Sequence, residues 1–288
     1  MIYTISNNNY TAKISDVGAE LKSFKDNNRQ EYIWEGNPDI WSGTAPILFP
    51  VVGQLKNDEY IYSGNRYHMD KHGFARRSTF KVHKHEDATI SFILESSEET
   101  QHVYPFEFEL IVEFGIENGI LAVSYFVLNT GEKNMYFTIG SHPAFTLNTN
   151  NYELSDYYIE FEKKELLDCY VIEDGLFVTD TIPRYLDDDN TIQLSESIFD
   201  NDALIFKNIT SKQISIKNDK SNFNITIITG GAPHLGIWAK PRAPYVCIEP
   251  WYGFADNVDA NGVLSKKESM IKLKSGQSFS TGYQIRVN

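Results

Sequence analysis

Only two cysteines, Cys169 and Cys247, occur among the 288 residues. They show no metal-ligand spacing and are too few for a disulfide framework, so both are expected as thiols outside any disulfide. Basic residues are also scarce: 26 Lys and Arg stand against 39 Asp and Glu, a net charge of −13. That balance argues against nucleic acid and against an anionic membrane as partners, and it gives a phosphorylated ligand no long-range attraction. A small neutral ligand fits best. No apolar run approaches the roughly 18 residues of a membrane-spanning helix, and the opening Met-Ile-Tyr-Thr-Ile-Ser lacks the basic and apolar parts of a leader. The expectation is a cytoplasmic protein. Helical periodicity nowhere persists over about 12 residues, no repeat of roughly 20 to 50 residues stands out, and no linker divides the chain.

Strand-forming residues are plentiful. Aromatics make up 14%, with 17 Tyr and 18 Phe, a composition that favours β-structure and suits the flat apolar faces of ligands. Short alternating runs separated by Asn, Asp and Gly turns begin at Ile2 and continue to the tail, so the chain is expected to form one large antiparallel β-sandwich over 1–288. Trp41 to Lys56, with two prolines in apolar surroundings, predicts a buried irregular or edge segment. Tyr60 to Tyr67 predicts a hairpin around Ser63-Gly64-Asn65, and Met270 to Val287 predicts another around Ser275-Gly276-Gln277. Glu95 to Gln101 reads as a loop or one helical turn, and Leu194 to Phe199 as the one short helix. His83 and His85 fall in a charged stretch read as a solvated turn, and His102 reads as surface. Asp187-Asp188-Asp189 lacks the glycine and terminal glutamate of a calcium loop and predicts a solvated acidic turn.

Four segments place ionisable residues among Gly, Pro and aromatics at strand ends: Lys71 to Arg76, Gly140 to Pro143, Asn201 to Leu204 and Ile248 to Trp251. Pro143 supplies no backbone N–H and biases His142 toward an extended conformation, while Gly140 and Ser141 leave room for another molecule to approach. In a sandwich such segments can meet over one concave face, giving an acid, a base and aromatic walls.

His-Gly-Phe-Ala-Arg at 72–76, Gly-Ser-His-Pro-Ala-Phe at 140–145, Asn-Asp-Ala-Leu-Ile-Phe at 201–206 and Ile-Glu-Pro-Trp-Tyr-Gly at 248–253 together resemble the aldose 1-epimerase (galactose mutarotase) family, in its LacX-like branch. The likeness keeps its order along essentially the whole chain. It implies the large sandwich called a supersandwich, interconversion of the α and β anomers of a free aldohexose, a small-molecule sugar as partner, and no metal or organic cofactor. By the same resemblance His142 is the general acid at the ring oxygen and Glu249 the general base at the anomeric hydroxyl, lying on opposite flanks of one sugar-sized hollow. His72 stabilises charge developing on the sugar, and Asp202 holds its hydroxyls. Arg76, Phe74 and Trp251 are further candidate contacts, Arg76 with an ion pair anchoring a loop as its other reading, Phe74 and Trp251 with a place in the core as theirs. Gln54 stands where the broader family carries a substrate-reaching arginine; it can hydrogen-bond but cannot form a charged fork. Two other functions remain open, a hexose-6-phosphate mutarotase and a non-catalytic sugar-binding or regulatory protein, and the assembly is expected to be a monomer or homodimer.

Overall fold

Alternation along the chain builds two large sheets. In the strand Phe108–Glu117 the buried positions are Phe108, Leu110, Val112, Phe114 and Ile116, and its neighbour Ile120–Asn129 buries Leu121, Val123, Tyr125 and Val127. Side chains two apart share a face of a strand, so each run presents one apolar face to the core and one to water. The computed structural model describes residues 1–185 and 190–287; Asp187-Asp188-Asp189 lies outside them.

A nine-stranded sheet runs in the order Thr191–Gln193, Tyr157–Phe161, Gln213–Asn218, Asn224–Ile228, Ser278–Val287, Ile120–Asn129, Phe108–Glu117, Thr89–Glu95, Lys81–His85. The second, eight-stranded sheet runs Leu176–Tyr185, Leu166–Glu173, Leu204–Lys207, His234–Trp238, Tyr245–Tyr252, Ile139–Ser141, Ile47–Leu48, with Ala144–Thr146 also paired to Tyr245–Tyr252. Neighbouring strands are antiparallel throughout both sheets. Side chains bridge the two inner faces: Tyr125 and Ser141 share a buried hydrogen bond at 2.9 Å, and Phe161 packs edge-on to Phe206. The architecture is the all-β sandwich that the sequence predicts.

Several local expectations are corrected. Leu194 to Phe199 forms turns rather than a helix, whereas Glu98–Val103 is a short α-helix, capped by the Ser97 hydroxyl and carrying His102 exposed. His83 and His85 sit on the exposed edge strand Lys81–His85, not in a turn. The tail contains both strands around Ser275-Gly276-Gln277, yet they do not pair with each other: Ile271–Leu273 joins Met135–Phe137, and Ser278–Val287 joins the nine-stranded sheet. As predicted, the 41–56 segment is mostly buried and irregular with a two-residue edge strand, and the hairpin at Ser63-Gly64 forms between Glu59–Tyr62 and Asn65–His68.

Candidate active site

The strand Tyr245–Tyr252 is buried along nearly its whole length and is flanked by partners on both edges. Its alternation puts Tyr245, Cys247, Glu249 and Trp251 on one face. Opposite it, Gly140 pairs with Trp251 and Ala144 with Cys247 in a single register. Continuing that register across the gap sets His142 opposite Glu249. Pro143, with no N–H to offer, interrupts the ladder there, and the His142 N–H turns outward to the Pro46 carbonyl at 3.1 Å. His142 Nε2 lies 3.3 Å from Glu249 Oε2. The two groups therefore stand side by side on one wall rather than on opposite flanks, because they are cross-strand neighbours.

Trp251 needs space that only glycine leaves. A Cβ on Gly140 would lie 2.6 Å from the indole, and one on Gly236, from the other neighbouring strand, 2.7 Å. The floor of the site is thus an indole sunk between two strands. His142 is wedged between two more tryptophans, stacked on Trp41 at 5.0 Å between centroids and edge-on to Trp238 at 5.6 Å.

His72 enters from the loop after the Asn65–His68 strand. Its N–H donates to the Gly53 carbonyl at 2.8 Å, and the Gly53 N–H donates back to His72 Nδ1 at 3.1 Å. An Nδ1 that accepts leaves the proton on Nε2, so His72 presents an N–H donor with its ring edge-on to His142 at 5.9 Å. The loop has a left-handed backbone at His72 (φ 67°) and at Gly73 (φ 70°), where a Cβ would fall 2.2 Å from the Phe49 carbonyl oxygen. Only glycine fits that second position.

These groups line a cleft of about 540 Å³, within the usual range for small-molecule sites. Glu249 is 2% exposed and His142 9%. Burial pushes the Glu249 carboxyl well above its usual range, Lys71 opposing and Asp202 reinforcing. Burial pulls the His142 imidazole down from 6.5 to about 3, with Lys71 and Arg76 adding to it, and pulls His72 down as well, with His142, Lys71 and Arg76 adding. Both trends at the central pair favour one shared proton and no net charge. Among the described residues, four cleft-lining side chains each keep a buried polar atom without a well-aligned hydrogen bond: His142 Nδ1, Glu249 Oε2, Trp251 Nε1 and Arg76 Nε. Unsatisfied buried polar atoms are costly, and their convergence marks a site shaped for a polar ligand.

Of the residues predicted from sequence, the cleft gathers His72, Arg76, His142, Asp202, Glu249 and Trp251. Asp202 is exposed at the rim, where one carboxylate oxygen accepts the Ala203 N–H at 2.8 Å. Arg76 Nη2 donates to the Lys71 carbonyl at 2.9 Å, so it ties the loop through a backbone contact rather than through an ion pair among the described residues. Phe74 is not in the wall; it packs with Phe49, Tyr104 and Phe108 in the aromatic core. Nor is Gln54, whose amide donates to Asp58 at 3.1 Å and lies under Gly175. Sequence reasoning missed Trp41, Trp238 and Lys240, all of which line the cleft. For the two tryptophans the signal was rarity: the chain has four, and Trp34 alone is absent from the wall.

A family model for aldose 1-epimerase matches residues 1–286, and the chain belongs to that family of isomerases acting on sugars. It is similar to the plasmid-encoded protein LacX of Lactococcus lactis subsp. lactis, with 27% identity over all of this chain and 99% of that one. Among solved structures it is similar to a galactose mutarotase related enzyme from Lactobacillus acidophilus, at 39% identity and TM-score 0.96, covering 100% of this chain and 97% of that one. A galactose mutarotase-like protein from Lactobacillus casei shares 28% identity over the full length of both chains, with TM-score 0.93.

Proposed function

We propose that the cleft interconverts the α and β anomers of a free aldohexose by general acid and base catalysis. The observation that carries this reading is the His142–Glu249 pair: 3.3 Å apart, buried, and holding unsatisfied atoms in the wall of a sugar-sized cleft. The ring oxygen and the anomeric hydroxyl of a pyranose both hang on C1, so an acid and a base that serve them together have to be neighbours. In the reactive tautomer the shared proton sits on His142. That residue protonates the ring oxygen while Glu249 takes the proton of the anomeric hydroxyl, and the C1–O5 bond breaks. Rotation about C1–C2 and reclosure with the roles reversed return the proton and deliver the other anomer. The buried pair keeps the same net charge when its proton has crossed to the glutamate, so no uncompensated charge appears in the low-dielectric wall.

The Nε2–H of His72 is a neutral donor for a sugar oxygen on which charge develops. Trp251 and Trp41 offer faces for the apolar side of the ring. Asp202 and Arg76 at the rim take hydroxyls.

Exchange between anomers, followed by polarimetry or NMR on freshly dissolved α-glucose and α-galactose, tests the reading. Glu249→Gln and His142→Gln are each expected to slow catalysed exchange by about 10² to 10⁴ while sugar binding persists. Wild-type protein that binds sugar without accelerating exchange above solvent would instead establish a binding module.

One observation favours a second substrate class. Lys71, Arg76 and Lys240 all line the cleft. A hexose bearing an anionic substituent, such as a 6-phosphate, would meet three cations there.

A further inference from the structure

Cys247 is an ionisable side chain beside the central pair that the sugar chemistry leaves idle. It shares a strand face with Glu249 and is fully buried opposite Ala144 and Trp238. A ligating atom from each of His142, Cys247 and Glu249 lies within 4.8 Å of the other two. The 3.3 Å between His142 Nε2 and Glu249 Oε2 matches the spacing of two ligands that share a tetrahedral ion at about 2.0–2.1 Å. Glu249 Oε2, moreover, is buried and, among the described residues, makes no well-aligned hydrogen bond, His142 Nε2 being its neighbour at 3.3 Å.

We propose that this triangle binds a zinc-class divalent cation through the His142 imidazole, the Cys247 thiolate and the Glu249 carboxylate, with the fourth position open to the cleft. A set of sulfur, nitrogen and a single carboxylate selects a borderline-soft ion over magnesium or calcium, which require mostly oxygen ligands. Charge balances. The ion enters as M²⁺ and releases two protons, one from the Cys247 thiol and one from the His142–Glu249 pair, so a neutral buried cluster becomes a neutral metal site. Binding does not depend on the catalytic reading. If that reading holds, the ion also withdraws both reacting groups from the sugar and blocks turnover reversibly.

Cobalt(II) is the probe, because a thiolate ligand gives a near-ultraviolet charge-transfer band and four-coordination gives intense visible bands. Titration of the full chain with Co²⁺ under reducing conditions is expected to develop both, saturating at one ion per chain and bleaching when Zn²⁺ is added. Cys247→Ser should abolish the near-ultraviolet band and weaken Co²⁺ binding by roughly tenfold or more, whereas Cys169→Ser should leave both unchanged. Circular dichroism establishes that the variants fold. Should Cys247→Ser not fold, Glu249→Gln gives the second arm, retaining the band with weaker affinity. A wild-type spectrum without the near-ultraviolet band, or a band that survives in folded Cys247→Ser, overturns the proposal; loss of anomer exchange without these spectra does not support it.

Discussion

Gln54, a candidate substrate contact, instead packs within the scaffold. Its amide is engaged by Asp58, and a Cβ on Gly175 would come within 2.1 Å of its Oε1. Gly175 also needs glycine's freedom, with φ 82° at the tip of the hairpin between Leu166–Glu173 and Leu176–Tyr185. Gly175→Ala is therefore expected to lower unfolding stability by about 1–2 kcal/mol. Adding Gln54→Ala should restore part of the loss, because it removes the clash and leaves only the backbone strain. Gln54→Ala alone should keep anomer exchange close to wild type. Chemical denaturation of the three variants and one polarimetric assay check this. At this scale the sequence was informative where a motif named a residue type, as with His142 and Glu249. It was silent about Lys240, whose side chain reaches the cleft only once the folded sheet and its loops bring it there.

At the scale of elements, the strand His234–Trp238 supports the one that carries Glu249, pairing Gly236 with it and His234 with Trp251. His234 is held neutral. Its Nδ1 accepts the Asn208 N–H at 3.4 Å, its Nε2 lies 3.2 Å from the Ser269 hydroxyl, and burial pulls it from 6.5 to about 4, with Lys207 adding. A histidine whose folded value is depressed binds its proton more readily when unfolded, so its stabilising contribution is complete above 6.5 and is lost as pH falls toward 4. Holding the imidazole at about 4 rather than 6.5 corresponds to a loss on the order of 3 kcal/mol over that window. Thermal unfolding followed from pH 7 to 4 should show a steeper fall for wild type than for His234→Gln, which has no proton to gain. Elements were legible in proportion to their regularity. The period-2 burial of Phe108–Glu117 can be read directly, whereas Ser275-Gly276-Gln277 announces that the chain turns but not that its two flanking strands go to different sheets. The segment from Leu194 to Phe199 carries turn-forming serines at 195 and 197 and forms turns, whereas the equally short Glu98–Val103 is closed by the Ser97 cap and forms a helix.

For the molecule as a whole, acidity and the cleft point in different directions. The chain carries −13, yet Lys71, Arg76 and Lys240 gather around one opening. If the substrate is neutral, the Michaelis constant should hardly change between low salt and several hundred millimolar, since nothing is left to screen. A phosphorylated hexose should instead bind more weakly as salt rises, and Lys71→Met or Lys240→Met should each weaken it by roughly fivefold, about the worth of one exposed charge contact. Comparing glucose with glucose 6-phosphate across a salt series decides between the two.

Because His142 and Glu249 are fixed to adjoining backbones while Lys71, Asp202 and Lys240 project from loops around them, the two layers can diversify independently. A lineage could exchange one sugar for another by rewriting the loops, with the His142–Glu249 pair left untouched. The reverse route is closed for the carboxylate: moving Glu249 by one residue along its strand would turn it to the far side of the sheet.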